Sequence, residues 1–118
     1  MQTPPLLPVV PTVAILSAPV PPGATRDQLH AAFASTVEFN GGMPDILQKY
    51  YTFDESTRTL GSVYLWRSRE AAQAFFAPGW DQRFQAKWGT RPTLQLHEAL
   101  IVLRPLSGAA QLGAEEAA

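Results

Sequence analysis

The chain has 118 residues, 46% of them hydrophobic and only 16% charged, with a formal charge of −1 at neutral pH. That length suits one domain with a single hydrophobic core, and the near-neutral charge supplies no cluster of Lys and Arg for nucleic-acid phosphates. The absence of cysteine excludes disulfides, thiolate nucleophiles and thiolate metal sites together. It also fits a reducing compartment. The opening "MQTPPLLPVVP" has no basic region, and its prolines interrupt any apolar helix. It reads as neither signal peptide nor membrane span, so a cytoplasmic protein without a membrane partner is expected.

Residues 1–11 form a proline-rich N-terminal arm, and "TVAILSAPV" from Thr12 is a β-branched, apolar first strand. After "PPGAT", the segment "RDQLHAAFASTV" places Leu29, Ala32, Phe33, Thr36 and Val37 on one buried helical stripe. Thr25 is its N-cap and Asp27 favours its first turn, and "NGGMP" ends it. His30, beside the stripe, is expected to be partly exposed.

Two strands follow, "DILQKYYTF" and "TLGSVYLW", joined by a loop at Glu55–Arg58. That loop pairs Asp54 with Thr59, Phe53 with Leu60, Tyr51 with Ser62 and Lys49 with Tyr64. One face then carries Leu47, Lys49, Tyr51, Phe53, Leu60, Ser62, Tyr64 and Trp66. The other carries Ile46, Gln48, Tyr50, Thr52, Gly61, Val63 and Leu65. Neither face is polar, whereas a sheet with helices on one side only should show a polar open face.

Ser68 caps a helix "REAAQAFF", and Trp80, Phe84 and Trp88 recur at helical spacing in "WDQRFQAKW". "RPTLQLHEALIVLRPL" is the last strand, with Leu94, Leu96, Glu98, Leu100 and Val102 on one face and His97 on the other. The order β-α-β-β-α-β is the ferredoxin-like plan, an α+β fold with one four-stranded antiparallel sheet spanning residues 12–105. Residues 106–118 are a small, polar C-terminal tail. An apolar open face asks for a second sheet against it, so the expected assembly is a homodimer closed into a dimeric α/β barrel.

The run "GGMPDILQKYYTFDESTRTLGSVYLWRSREAAQAFF", with its Gly-Met-Pro turn, Lys49 and Tyr51 on one strand and a Ser-capped helix, resembles the small monooxygenases of the YdhR-like group. These belong to the dimeric α/β-barrel superfamily, with the antibiotic-biosynthesis monooxygenases as more distant relatives. The resemblance covers about residues 12–105 and includes Trp88-Gly89 before the last strand. It implies oxidation of a small aromatic or polyketide-like compound without metal or flavin, in a pocket between sheet and helices. An asparagine, a tryptophan and a tyrosine are implicated in that group. The one asparagine here, Asn40, is expected in the loop after the first helix and receives no assignment.

Among the residues themselves, Lys49, Tyr51 and Tyr64 form the most informative set. A lysine among aromatics favours a nearby phenolate or enolate, and cofactor-free oxygenation needs such an anion before it can reduce dioxygen. The alternative is a lysine stem that passes the aromatic layer to reach solvent. His97 is the residue suited to general-base work, although Glu98 beside it faces the other way. Trp66, Trp80 and Trp88 offer walls for a flat ligand, with Arg83 at the mouth over an anionic substituent. Core packing and a solvated helix face are their plain alternatives. The catalytic candidates are therefore Lys49, Tyr51, Tyr64 and His97, and the substrate-binding candidates Trp66, Trp80, Arg83 and Trp88. Two isolated histidines make no metal site, and no cofactor is expected. A non-catalytic ligand-binding or stress-response module, or a dehydratase or isomerase with His97 as base, are the alternatives on the same scaffold.

Overall fold

The computed structural model describes residues 10–104. Nearly all of the proline-rich arm and the whole polar tail lie outside the described residues. The elements run β1 (Thr12–Pro19), α1 (Arg26–Gly41), β2 (Ile46–Asp54), β3 (Thr59–Trp66), α2 (Arg69–Phe75), α3 (Trp80–Trp88) and β4 (Thr93–Glu98). The strands form one antiparallel four-stranded sheet in the order β2-β3-β1-β4. This is the ferredoxin-like arrangement. No helix among the described residues is long and apolar enough to cross a membrane.

Local chemistry accounts for the element boundaries. Thr25 Oγ1 accepts from the Gln28 N–H at 3.1 Å while Gln28 Oε1 accepts from the Thr25 N–H at 3.0 Å, a reciprocal capping box that starts α1. Ser68 Oγ accepts from the Ala71 N–H at 3.1 Å and starts α2. Gly79 and Gly89 bound α3 with φ of 96° and 75°, values that only glycine adopts freely. In the β2–β3 turn the Asp54 carboxylate accepts from the Ser56 N–H at 3.0 Å and the Ser56 hydroxyl at 2.7 Å. These bonds hold the Glu55–Arg58 loop and the register it sets, with Tyr51 opposite Ser62 and Lys49 opposite Tyr64.

The expected α/β barrel does not form: the sheet is open, with β2 and β4 as its two edges, and does not close on itself. Four strands end-paired in this order leave both edge strands without a neighbour. The last strand is also shorter than the sequence suggests. It ends at Glu98, after which a single Ala99 N–H to Pro11 carbonyl bond of 2.9 Å prolongs the contact with the start of β1. Leu100, Ile101 and Leu103 are more than four-fifths exposed. A β-bulge between Ile46 and Gln48 shifts the start of β2, so Ile46 pairs with Trp66 and packs in the core instead of on the outer face.

The helices cover the face that carries Ala14, Leu16 and Ala18 of β1 and Leu60, Ser62, Tyr64 and Trp66 of β3, all buried. Two apolar clusters hold this layer. Tyr64 and Trp66 pack with Ala14, Ala72, Phe75 and Phe76, whereas Leu60, Ala18, Val20 and Leu29 pack with Phe33, Phe84 and Trp88. The outer face shows Val13, Ile15, Tyr50, Val63 and Leu65. Gly61 lies so close to β1 that a Cβ there would sit 2.5 Å from the Leu16 carbonyl oxygen.

Candidate functional site

Between the sheet and the three helices lies an open cavity of about 660 Å³. Its floor is β2 and β3, which alternate Lys49 and Tyr51 with Ser62, Tyr64 and Trp66 toward the helices. Its walls come from Phe33, Thr36 and Asn40 of α1, Phe75 of α2, and Trp80, Phe84 and Trp88 of α3. An apolar, aromatic cavity with a few polar groups is the usual form of a small-molecule site.

Lys49 occupies the middle of the floor. Its Nζ lies 4.3 Å from the ring centroid of Tyr51 and 4.3 Å from that of Tyr64, a double cation–π contact. Neither of the two salt bridges among the described residues involves it. Burial, reinforced by the positive charge of Lys87, lowers its pKa from 10.5 to about 8. The ammonium is still the main form at neutral pH, with no carboxylate paired to it among the described residues. The Tyr64 hydroxyl moves the other way: burial, then the neighbouring Tyr51, raise its pKa more than Ser62 lowers it, so it remains a neutral phenol.

Tyr51 is fixed by α1. Thr36 Oγ1 donates to the Phe33 carbonyl at 2.9 Å, which leaves it to accept from the Tyr51 hydroxyl at 2.8 Å. Asn40 Nδ2 donates to the same hydroxyl at 3.3 Å and to the Thr36 carbonyl at 2.8 Å. Two buried polar atoms stay without a partner at this site, Asn40 Oδ1 and Trp66 Nε1. Unsatisfied buried groups are costly and concentrate where function requires them.

The structure thus brings together Lys49, Tyr51, Tyr64, Trp66, Trp80, Arg83 and Trp88 around one cavity. His97 is not among them. It lies on the outer face of the sheet opposite Val13, exposed, with its Nε2 3.4 Å from Gln95 Oε1. The inner face of β4 carries Leu94 and Leu96 instead, because alternation along a strand sends neighbours to opposite sides.

Asn40, Thr36 and Lys87 are polar lining residues beyond the candidates read from the sequence. Asn40 is not in a loop: α1 continues through it to Gly41, and it is buried. The signal was present in the spacing 29, 33, 36, 40, which continues the stripe for another turn. Val37, placed on that stripe from sequence, is instead 52% exposed. Among the described residues no group of three or more His, Cys, Asp or Glu side chains gathers in a way that could hold a metal ion.

No family model matches the sequence, and no curated protein matches it. Solved structures share the fold. The cofactor-independent oxygenase SnoaB of Streptomyces nogalater superposes with a TM-score of 0.59 at 15% identity, over 82% of this chain and 100% of that one. A monooxygenase of Streptomyces coelicolor, ActVA-Orf6, solved with nanaomycin D, gives 0.58 at 20% identity over 82% and 94%. A haem-degrading protein of Mycobacterium tuberculosis gives 0.59 at 22% identity over 82% and 99%. At these identities the three structures share the ferredoxin-like fold with this chain.

Proposed function

We propose that this protein is a cofactor-independent monooxygenase acting on a small aromatic or polyketide-like compound in the cavity between sheet and helices. The observation that carries the reading is Lys49, a desolvated ammonium with no carboxylate paired to it among the described residues, 4.3 Å from two tyrosine rings on the cavity floor. Such a cation lacks one partner, an anion formed on the ligand. A methylene conjugated with a carbonyl, directly or through an aromatic ring, becomes an enolate when it loses a proton, and that enolate reduces dioxygen without help from a flavin or metal. The balance closes as R–CH2–R′ + O2 → R–CO–R′ + H2O, one oxygen atom entering the product and the other leaving as water.

Lys49 stabilises the enolate, the neutral Tyr64 hydroxyl donates a hydrogen bond to its oxygen, and Trp66, Trp80 and Trp88 hold the rings. Tyr51, whose hydroxyl is engaged by Thr36 and Asn40, keeps its ring against Lys49. SnoaB and ActVA-Orf6 support the reading by fold. In the same proposal a second copy of the chain covers the outer face of the sheet, where Ile15 and Tyr50 are exposed.

Oxygen uptake with anthrone as the probe substrate tests the chemistry. The parent should consume one dioxygen per anthrone oxidised, faster than the uncatalysed background, and Lys49→Met should lose most of that rate. Saturable binding of anthrone with no uptake above background would replace the oxygenase by a non-catalytic ligand-binding protein.

A further inference from the structure

We infer that the ligand of this cavity carries a permanent carboxylate on its aromatic body, seated between Arg83 and Lys87 of α3. This rests on the reading of the cavity as an aromatic-ligand site and adds the class of ligand, an aromatic acid. The two cations are one helical turn apart, and both line the cavity. They belong to its inward face: Trp80, Arg83, Phe84, Lys87 and Trp88 all line it, at the spacing of one helix side.

The other side of α3 carries Asp81, Gln82 and Gln85 and no cation. Cations are instead placed among the aromatic residues that bound the site. Lys87 also stands close enough to Lys49 to lower the affinity of that lysine for its proton. Among the described residues the cavity therefore has three lining cations, Lys49, Arg83 and Lys87, against one lining carboxylate, Asp45. Asp45 is paired already, 3.7 Å from Arg67 Nε. A chain whose net charge is −1 thus concentrates unneutralised positive charge in its cavity. Repulsion between Lys49 and Lys87 is relieved by an anion bound beside them, and Arg83 supplies the planar fork that suits a carboxylate.

The test compares 2-naphthoate with 2-naphthylmethanol, the same ring system with and without the charge, by calorimetric titration of the full chain at neutral pH and low salt. The parent should bind 2-naphthoate tighter by about tenfold or more, the worth of a charge-assisted contact. In Arg83→Gln/Lys87→Gln, two substitutions at exposed positions, that ratio should fall to near one. Equal affinities in the parent, or a preference that survives the double substitution, would overturn the inference and leave the aromatic cavity intact. Binding of neither probe would overturn it together with the cavity reading. Because the readout is equilibrium binding, a lack of oxygen uptake does not affect it.

Discussion

Asn40 Nδ2 donates to the Tyr51 hydroxyl across 3.3 Å and so fastens the last turn of α1 to the middle of β2 above the cavity. Tyr51→Phe removes the hydroxyl but leaves Asn40 bonded to the Thr36 carbonyl and Thr36 to the Phe33 carbonyl. The expected loss is that of one part-buried hydrogen-bonded group, about 1 kcal/mol. Urea denaturation measures it, and an unchanged midpoint would show that the contact contributes nothing to the fold.

Lys49 makes stability depend on pH with a sign that can be worked out. Its pKa is lowered from 10.5 to about 8, so between these values the unfolded chain holds more protons than the native one. Stability from this group therefore rises as pH rises from about 8 to 10.5, and below pH 8 the full cost of the desolvated charge is present. Lys49→Met should stabilise the protein at pH 7 by about 1–2 kcal/mol, allowing for solvent screening of a partly exposed group. The advantage should shrink toward pH 10.5, where the native lysine is neutral. Urea midpoints of both proteins at several pH values check this, and a gain that does not change with pH would mean that packing, not charge, is responsible.

The order of elements, the β2–β3 register and the Lys49–Tyr51–Tyr64 set were legible because each rests on short-range rules. Alternation puts Lys49, Tyr51 and Tyr64 on one face once the Asp54 turn fixes the pairing. What was missed depends on long-range packing. Asn40 looked like a loop residue because the Gly-Gly after it is a strong stop signal, yet its amide finds Tyr51, eleven residues away, and the helix runs on to meet it. The bulge at Ile46 cannot be seen in an alternating pattern, since Trp66 decides which residue faces the core. The apolar run after Glu98 has strand composition, yet beyond Ala99 it makes no ladder with β1.

Gly61 is a backbone constraint in the centre of the sheet. A methyl group there would meet the Leu16 carbonyl oxygen at 2.5 Å and Thr52 Oγ1 at 2.8 Å. The threonine can rotate away, but the β1 carbonyl is held in the ladder. Gly61→Ala should therefore destabilise by about 1–3 kcal/mol, as other overpacked sites do, visible as a lower melting temperature. An unchanged melting temperature would show that β1 and β3 can part enough to admit the methyl.

The outer face bears on assembly. Ile15, at the centre of β1, is 39% exposed on that face, and Tyr50 on β2 is 56% exposed. A second copy of the chain should cover them, with an interface of about 1,000 Å² or more. Light scattering should give the parent twice the chain mass, and Ile15→Glu should give the single mass with unchanged circular dichroism. A parent of single mass at micromolar concentration would refute the dimer.

Tyr64 and Phe76 lie 5.4 Å apart, edge to face at 89°, yet their substitutions should separate binding from stability. Phe76 packs edge-on against four rings: besides Tyr64 it meets Trp66 at 5.9 Å, Phe75 at 4.9 Å and Trp80 at 4.8 Å, and it does not line the cavity. Truncating it removes a hub that ties α2 and the start of α3 to the sheet. Because Phe76 is only half-buried, Phe76→Ala should cost about 2–3 kcal/mol, below the full range for a buried phenylalanine. Tyr64→Phe keeps the stacked contact with Trp66 and the face offered to Lys49, and loses only a hydroxyl at the cavity floor. Its melting temperature should stay near that of the parent, whereas binding of a phenolic probe such as 2-naphthol should weaken several-fold. Thermal melts of both variants and titrations of Tyr64→Phe decide the matter. If Tyr64→Phe lowered the melting temperature as far as Phe76→Ala and bound 2-naphthol like the parent, Tyr64 would be a core residue and not part of the site.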